Sequence, residues 1–158
     1  MRWSADPRLL RDPVHLFAFG FGAGLSPFAP GTFGTLIAIP IVLLVQHFGL
    51  MTHAAFALAA IVFGIYVCGE SARRLGVHDH PGIVWDEIAG FTVTMLAAPP
   101  HWAWLACGFV LFRIFDIWKP WPIREADHSL SGGLGIMLDD IIAGLFAAAI
   151  MFGLRSVL

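Results

Sequence analysis

Residues 53–69, HAAFALAAIVFGIYVCG, contain no Asp, Glu, Lys or Arg. The run approaches the ~20 apolar residues that a helix needs to cross a bilayer. Similar runs lie on both sides of it, at 35–50 (TLIAIPIVLLVQHFGL), 88–98 (IAGFTVTMLAA), 102–112 (WAWLACGFVLF) and 134–154. Each is short of, or barely near, that length, so flanking residues, tilt or local thinning must supply the difference. Taking Asp86 and Glu87 into the third helix, and residues 113–116 into the fourth, brings both closer to spanning length. The whole chain has the same character: 58% of its 158 residues are hydrophobic and 13% charged, with a mean hydropathy of +0.80. These values exclude an ordinary water-soluble domain. The formal net charge of -2 provides no field to collect nucleic acid.

The expected fold is an all-α membrane protein, a bundle of about four to five short transmembrane helices. Residues 15–34 (HLFAFGFGAGLSPFAPGTFG) are apolar but broken by glycine and proline, which favours a re-entrant or interfacial N-terminal segment over a straight span. Irregular backbone at membrane depth is tolerated only where protein or a watery cavity satisfies it. Residues 1–14 read as an N-terminal cytoplasmic segment without the features of a removable signal peptide. Residues 15–158 read as one membrane domain. Cys68 and Cys107 lie in apolar stretches without metal-site or disulfide spacing, and are read as packing residues.

Five crossings from a cytoplasmic N-terminus place Arg2, Arg8, Arg11, Arg73, Arg74, Arg113, Lys119 and Arg124 inside, leaving only Arg155 outside. This is the bias of the positive-inside rule. The outer turns then fall at 49–52 and 99–101, and every charged motif faces the cytoplasm.

In so apolar a chain, carboxylates beside the hydrophobic runs carry the information, because burying them is costly unless they are paired, metal-bound or functional. They are Asp79 in VHDHPG, Asp86 and Glu87 in VWDEIAGF, Asp116 in RIFDIWKPWP, and Asp139 and Asp140 in IMLDDIIAG. Carboxylates converging from several helix ends suit Mg2+, which takes one or two of them together with water and phosphate oxygens. The competing reading is that the acids solvate helix ends, where negative charge near an N-terminus is mildly favourable. Asp116 has Arg113 and Lys119 three residues away on either side, so a structural ion pair is a rival there. Pro120 and Pro122 break the helix and leave Lys119 and Arg124 in a Trp-rich turn suited to an anionic lipid head. The segment GLSPFAPGTFGT (24–35) places Ser26, Thr32 and Thr35 before a helix start, where phosphate could bind, or where a hydroxyl could simply cap the helix. It lacks the Lys of a P-loop.

With these motifs assembled, the chain resembles the phosphatidylglycerophosphatase A family. The strings are GFGAGLSPFAPGTFGTL (20–36), GVHDHPGIVWDEIAGF (76–91), FRIFDIWKPWPIREAD (112–127) and GGLGIMLDDIIAG (132–144). The resemblance implies a multi-pass enzyme of the bacterial cytoplasmic (inner) membrane that acts in phospholipid biosynthesis. It would hydrolyse phosphatidylglycerophosphate to phosphatidylglycerol and inorganic phosphate and require Mg2+. It also adds Asp79 to the metal set of Asp86, Glu87, Asp116, Asp139 and Asp140, and His80 to the substrate contacts of Ser26, Thr32, Thr35, Lys119 and Arg124. The catalytic set is Asp86, Glu87, Asp116 and Lys119, with the division between base and ligand left open. Direct attack of a metal-activated water is the favoured route, and a phospho-aspartate the second. A small ion or anion transporter is the alternative function, although its acids would be expected at mid-membrane.

The charge bias generates a test of orientation. In a variant lacking Cys68 and Cys107, Asp79→Cys and Lys119→Cys are expected to resist an impermeant thiol reagent in intact cells and to react after permeabilisation. Labelling from outside would invert the topology.

Overall fold

A computed structural model describes residues 6–78, 80–125 and 130–157, and those residues contain helices and turns but no strand. Short helix α1 (Pro13–Ala18) is followed by a 3-10 segment over Gly20–Leu25. Next come α2 (Pro30–His47), α3 (Leu50–Leu75), α4 (Trp85–Thr94), α5 (Trp102–Trp118) and α6 (Gly132–Val157). Three of these, α2, α3 and α6, are long and apolar enough to cross a membrane. At 1.5 Å per residue they measure roughly 27 to 39 Å. Helix α5 has 17 residues, about 25 Å. Helix α4 has 10 and gains one 3-10 turn over Met95–Ala97. The expected turn at 49–52 is tighter than the sequence suggests, because α3 already begins at Leu50 and includes Met51 and Thr52.

Helix α6 is the axis of the bundle, packed against α4, α3 and α5. Its approach to α3 depends on glycine: a Cβ on Gly133 would lie 1.7 Å from the Ile65 carbonyl oxygen. Its approach to α4 does too, since a Cβ on Gly144 would lie 2.4 Å from the Gly90 oxygen. With little hydrophobic gain available from apolar surface already in lipid, such close backbone contact is a main source of helix association. The outer faces are apolar, as at Leu58, Val62 and Tyr66 of α3, each more than half exposed and spaced four residues apart.

Several polar side chains bond across the bundle. The Trp85 indole N–H donates to the Ala60 carbonyl at 3.0 Å, and His53 Nε2 lies 2.9 Å from the Thr92 carbonyl. Helix α4 can stop short because the Gln46 amide donates to the carbonyls of Met95 and Ala98, at 3.0 and 3.1 Å. That leaves the start of α4, with Asp86 and Glu87 in its first turn, beside the start of α6.

The irregular segment before α2 is held by protein, as its backbone requires. The Val84 amide donates to the Ala18 carbonyl at 2.8 Å, and buried His15 bonds the Ser71 hydroxyl at 2.9 Å. Asp12 caps α1 through the Val14 amide and meets Arg74 at 2.5 Å. The Val14 hydrogen bond, aided by Arg74, holds the Asp12 carboxyl below its ordinary range.

Two glycines of α6 provide a matched test. Gly133→Ala must push backbone against backbone and is expected to cost about 1–3 kcal/mol, the range for overpacking. Gly153 has nothing within 4 Å of its added Cβ, so Gly153→Ala should be neutral or gain up to about 1 kcal/mol of helix propensity. Thermal unfolding in detergent reads both, and equal midpoints would remove close packing as the reason for Gly133.

Candidate active site and metal centre

Four chain segments meet at one end of the bundle around a cavity of about 380 Å³. The start of α2 contributes Ala29, Pro30 and Gly31, and the loop before α4 contributes His78, His80, Pro81 and Ile83. Helix α4 adds Asp86 and Glu87, the end of α5 adds Arg113, Asp116, Ile117 and Lys119, and α6 adds Gly135, Ile136, Asp139 and Asp140. Carboxylates from three segments, up to 54 residues apart in sequence, thus share one chamber.

Within it, Asp86, Glu87 and Asp140 each offer an oxygen, and these oxygens lie within 4.8 Å of one another. Asp86 Oδ1, Glu87 Oε2 and Asp140 Oδ2 are buried and have no hydrogen-bond partner among the described residues. Buried carboxylate oxygens without donors are rare, because their desolvation is uncompensated. A hard divalent cation supplies that compensation: oxygen-only ligands from two helices, with room for water and a phosphate oxygen, fit Mg2+. The residues present therefore fit the metal that the sequence implies.

The other two acids hold cations. Arg113 pairs with Asp116 and lies 3.9 Å from Glu87. Lys119 Nζ lies 2.5 Å from Asp139 Oδ2. The sequence placed both cations near Asp116, but α5 ends at Trp118 and Lys119 adopts a left-handed conformation at φ 46. That turn carries the ammonium across to α6, so Arg113 is the partner of Asp116 and Lys119 that of Asp139. Five carboxylates against these two cations leave an excess of three negative charges when all are ionised, which again favours a bound cation.

The expected phosphate contacts divide. His80 and Lys119 line the cavity, as does His78. His80 is fixed by the Gly82 amide, which donates to its Nδ1 at 3.1 Å, and by its ring lying against Phe19. Ser26, Thr32 and Thr35 do not line the cavity. The Thr35 hydroxyl is fully buried and donates to the Gly31 carbonyl at 2.9 Å, while Ser26 donates to the Phe28 carbonyl at 2.7 Å. Both hydroxyls are spent on nearby backbone, the usual alternative for these residue types. Arg124 is exposed and lies outside the lining. Asp79 lies outside the described residues, as does Arg2.

Sequence reasoning missed two participants. Arg113 bridges the two acid groups, and its signal was that it is the only cation within the α5 sequence. Gly31 is the other: a Cβ there would lie 2.1 Å from Glu87 Oε1 and 3.1 Å from Arg113 Nη1. The start of α2 thus closes over the carboxylates only because residue 31 has no side chain.

The sequence matches the family described as Phosphatidylglycerophosphatase A over residues 16–155, a range that includes every described lining residue. A protein named Phosphatidylglycerophosphatase A from Escherichia coli (strain K12) is 48% identical over 144 residues, covering 90% of this chain and 84% of the relative. Another of that name from Haemophilus influenzae (strain ATCC 51907 / DSM 11121 / KW20 / Rd) is 41% identical over 148 residues, covering 92% and 91%. No solved structure matches the chain. With a match across nearly its whole length and two such relatives, the chain belongs to the phosphatidylglycerophosphatase A family.

Proposed function

We propose that the chain hydrolyses the phosphomonoester of phosphatidylglycerophosphate, giving phosphatidylglycerol and inorganic phosphate, with Mg2+ held by Asp86, Glu87 and Asp140 on the cytoplasmic side of a bacterial inner membrane. The observation that carries the reading is the trio of buried carboxylate oxygens without donors, facing a chamber that also holds Lys119 and Arg113. The names of the relatives supply the substrate. Five crossings, with α4 and α5 completing the set, and the Lys and Arg bias supply the orientation.

Bound Mg2+ would polarise the phosphoryl group and lower the pKa of a water molecule beside it. The chain's own residues do the rest. Lys119, a compact charge anchored by Asp139, neutralises charge on the phosphoryl oxygens. Arg113, fixed by Asp116, steadies Glu87. A carboxylate of the cluster accepts the proton of the attacking water. The bond from phosphorus to the ester oxygen then breaks, and the departing glycerol oxygen takes up a proton.

Asp86→Asn and Asp140→Asn keep side-chain volume but lose charge. Each is expected to reduce phosphate release by more than the roughly 10- to 100-fold typical of losing an outer-sphere partner of a metal site. EDTA should stop the wild-type reaction and Mg2+ restore it. Chelator-resistant turnover, or full activity in both variants, would refute the metal reading.

Lys119 requires a double substitution, because Lys119→Met alone takes this cation from buried Asp139, a change that costs about 3–5 kcal/mol in fully buried pairs. Lys119→Met combined with Asp139→Asn removes both charges. The pair should recover the thermal midpoint lost by the single variant without recovering turnover. Recovery of both would make the ion pair structural.

A further inference from the structure

Helix α5 turns one face away from the bundle, and that face carries two rows of side chains at four-residue spacing. Phe109, Arg113 and Ile117 form one row, and Val110, Ile114 and Trp118 the other, with a groove of about 440 Å³ along them. Grooves between such rows normally receive a neighbouring helix. Here Val110, Ile114, Ile117 and Trp118 remain 47% to 72% exposed, so no described helix covers them. Arg113 and Ile117 also line the carboxylate chamber. Chamber and groove therefore share a wall, one side polar and acidic, the other apolar.

We propose that this groove seats one acyl chain of the same lipid whose phosphomonoester lies in the chamber. The inference rests on the proposed phosphatase activity. Three observations favour an acyl chain as occupant. The groove lies against the chamber where the phosphate would lie, with Arg113 and Ile117 lining both. From Trp118 to Phe109 it runs nine residues, about 13 Å, close to one leaflet's share of a hydrocarbon core ~30 Å thick. Its one charged member, Arg113, has its guanidinium drawn to Asp116 and Glu87, so its stem can face the tail.

A tail gains little by leaving lipid for this surface, since surrounding hydrocarbon is equally apolar. What the groove provides is registration. A tail held along α5 fixes how deep the glycerol sits and so delivers the phosphate to one height in the chamber, where small misplacements cost rate steeply. The deep end, at Val110, lies eight residues from Trp118, about 12 Å away. Short tails stop before it.

The test compares dioleoyl with dihexanoyl phosphatidylglycerophosphate in detergent, using the full-length wild type and two groove-filling variants, Val110→Trp and Val110→Phe. Neither variant touches the chamber. The dioleoyl kcat/KM should fall roughly tenfold or more for Trp and less for Phe, as expected for lost positioning. The dihexanoyl value should stay within about twofold of wild type. An unchanged ratio between the substrates would overturn the proposal and leave bulk lipid on the groove. A parallel loss on both substrates would also overturn it, marking the face as a support of the fold or a contact between copies. Failure of the wild type to release phosphate from either substrate would instead overturn the activity on which the inference rests.

Discussion

The structure depends on one electrostatic requirement: five carboxylates gathered at the end of an apolar bundle must each find positive charge or take up a proton. Two find it in the chain, through Arg113 with Asp116 and Lys119 with Asp139. The remaining three, Asp86, Glu87 and Asp140, face one another, with Arg113 3.9 Å from Glu87. In a low-dielectric setting such a group is costly unless it takes up protons or shares a counter-ion. The helix lengths serve that gathering. Helix α4 is short, so its first turn opens into the chamber, and α6 passes close enough to place Asp140 opposite Asp86.

Glycine permits the gathering as much as charge requires it. Gly31 admits Glu87 beneath the start of α2, and Gly90 and Gly144 let α4 and α6 touch at backbone distance one turn below the acids. The order of these features along each helix is the same: an acid, then a glycine three or four residues later, in EIAG (87–90) and in DIIAG (140–144). The two segments meet face to face.

Much of this was legible in the sequence. Five apolar runs correspond to α2 through α6, and Asp86, Glu87, Asp116, Asp139 and Asp140 beside them line the chamber. What could not be read were pairings set by tertiary crossing. Helical spacing put Lys119 near Asp116, and only the left-handed turn after Trp118 sends it to Asp139 instead. Ser26 and Thr35 donate their hydroxyls to nearby backbone, which a sequence does not display.

Beneath the acids, Phe91, Met95, Phe112, Met137 and Met151 are fully buried, and the Gly90–Gly144 contact leaves no gap between α4 and α6 for water. This layer separates the chamber from the polar groups at the other end, Gln46, His53 and Arg155. A transporter would need a path through it. This packed layer keeps the charge of the acid chamber apart from the far end of the bundle.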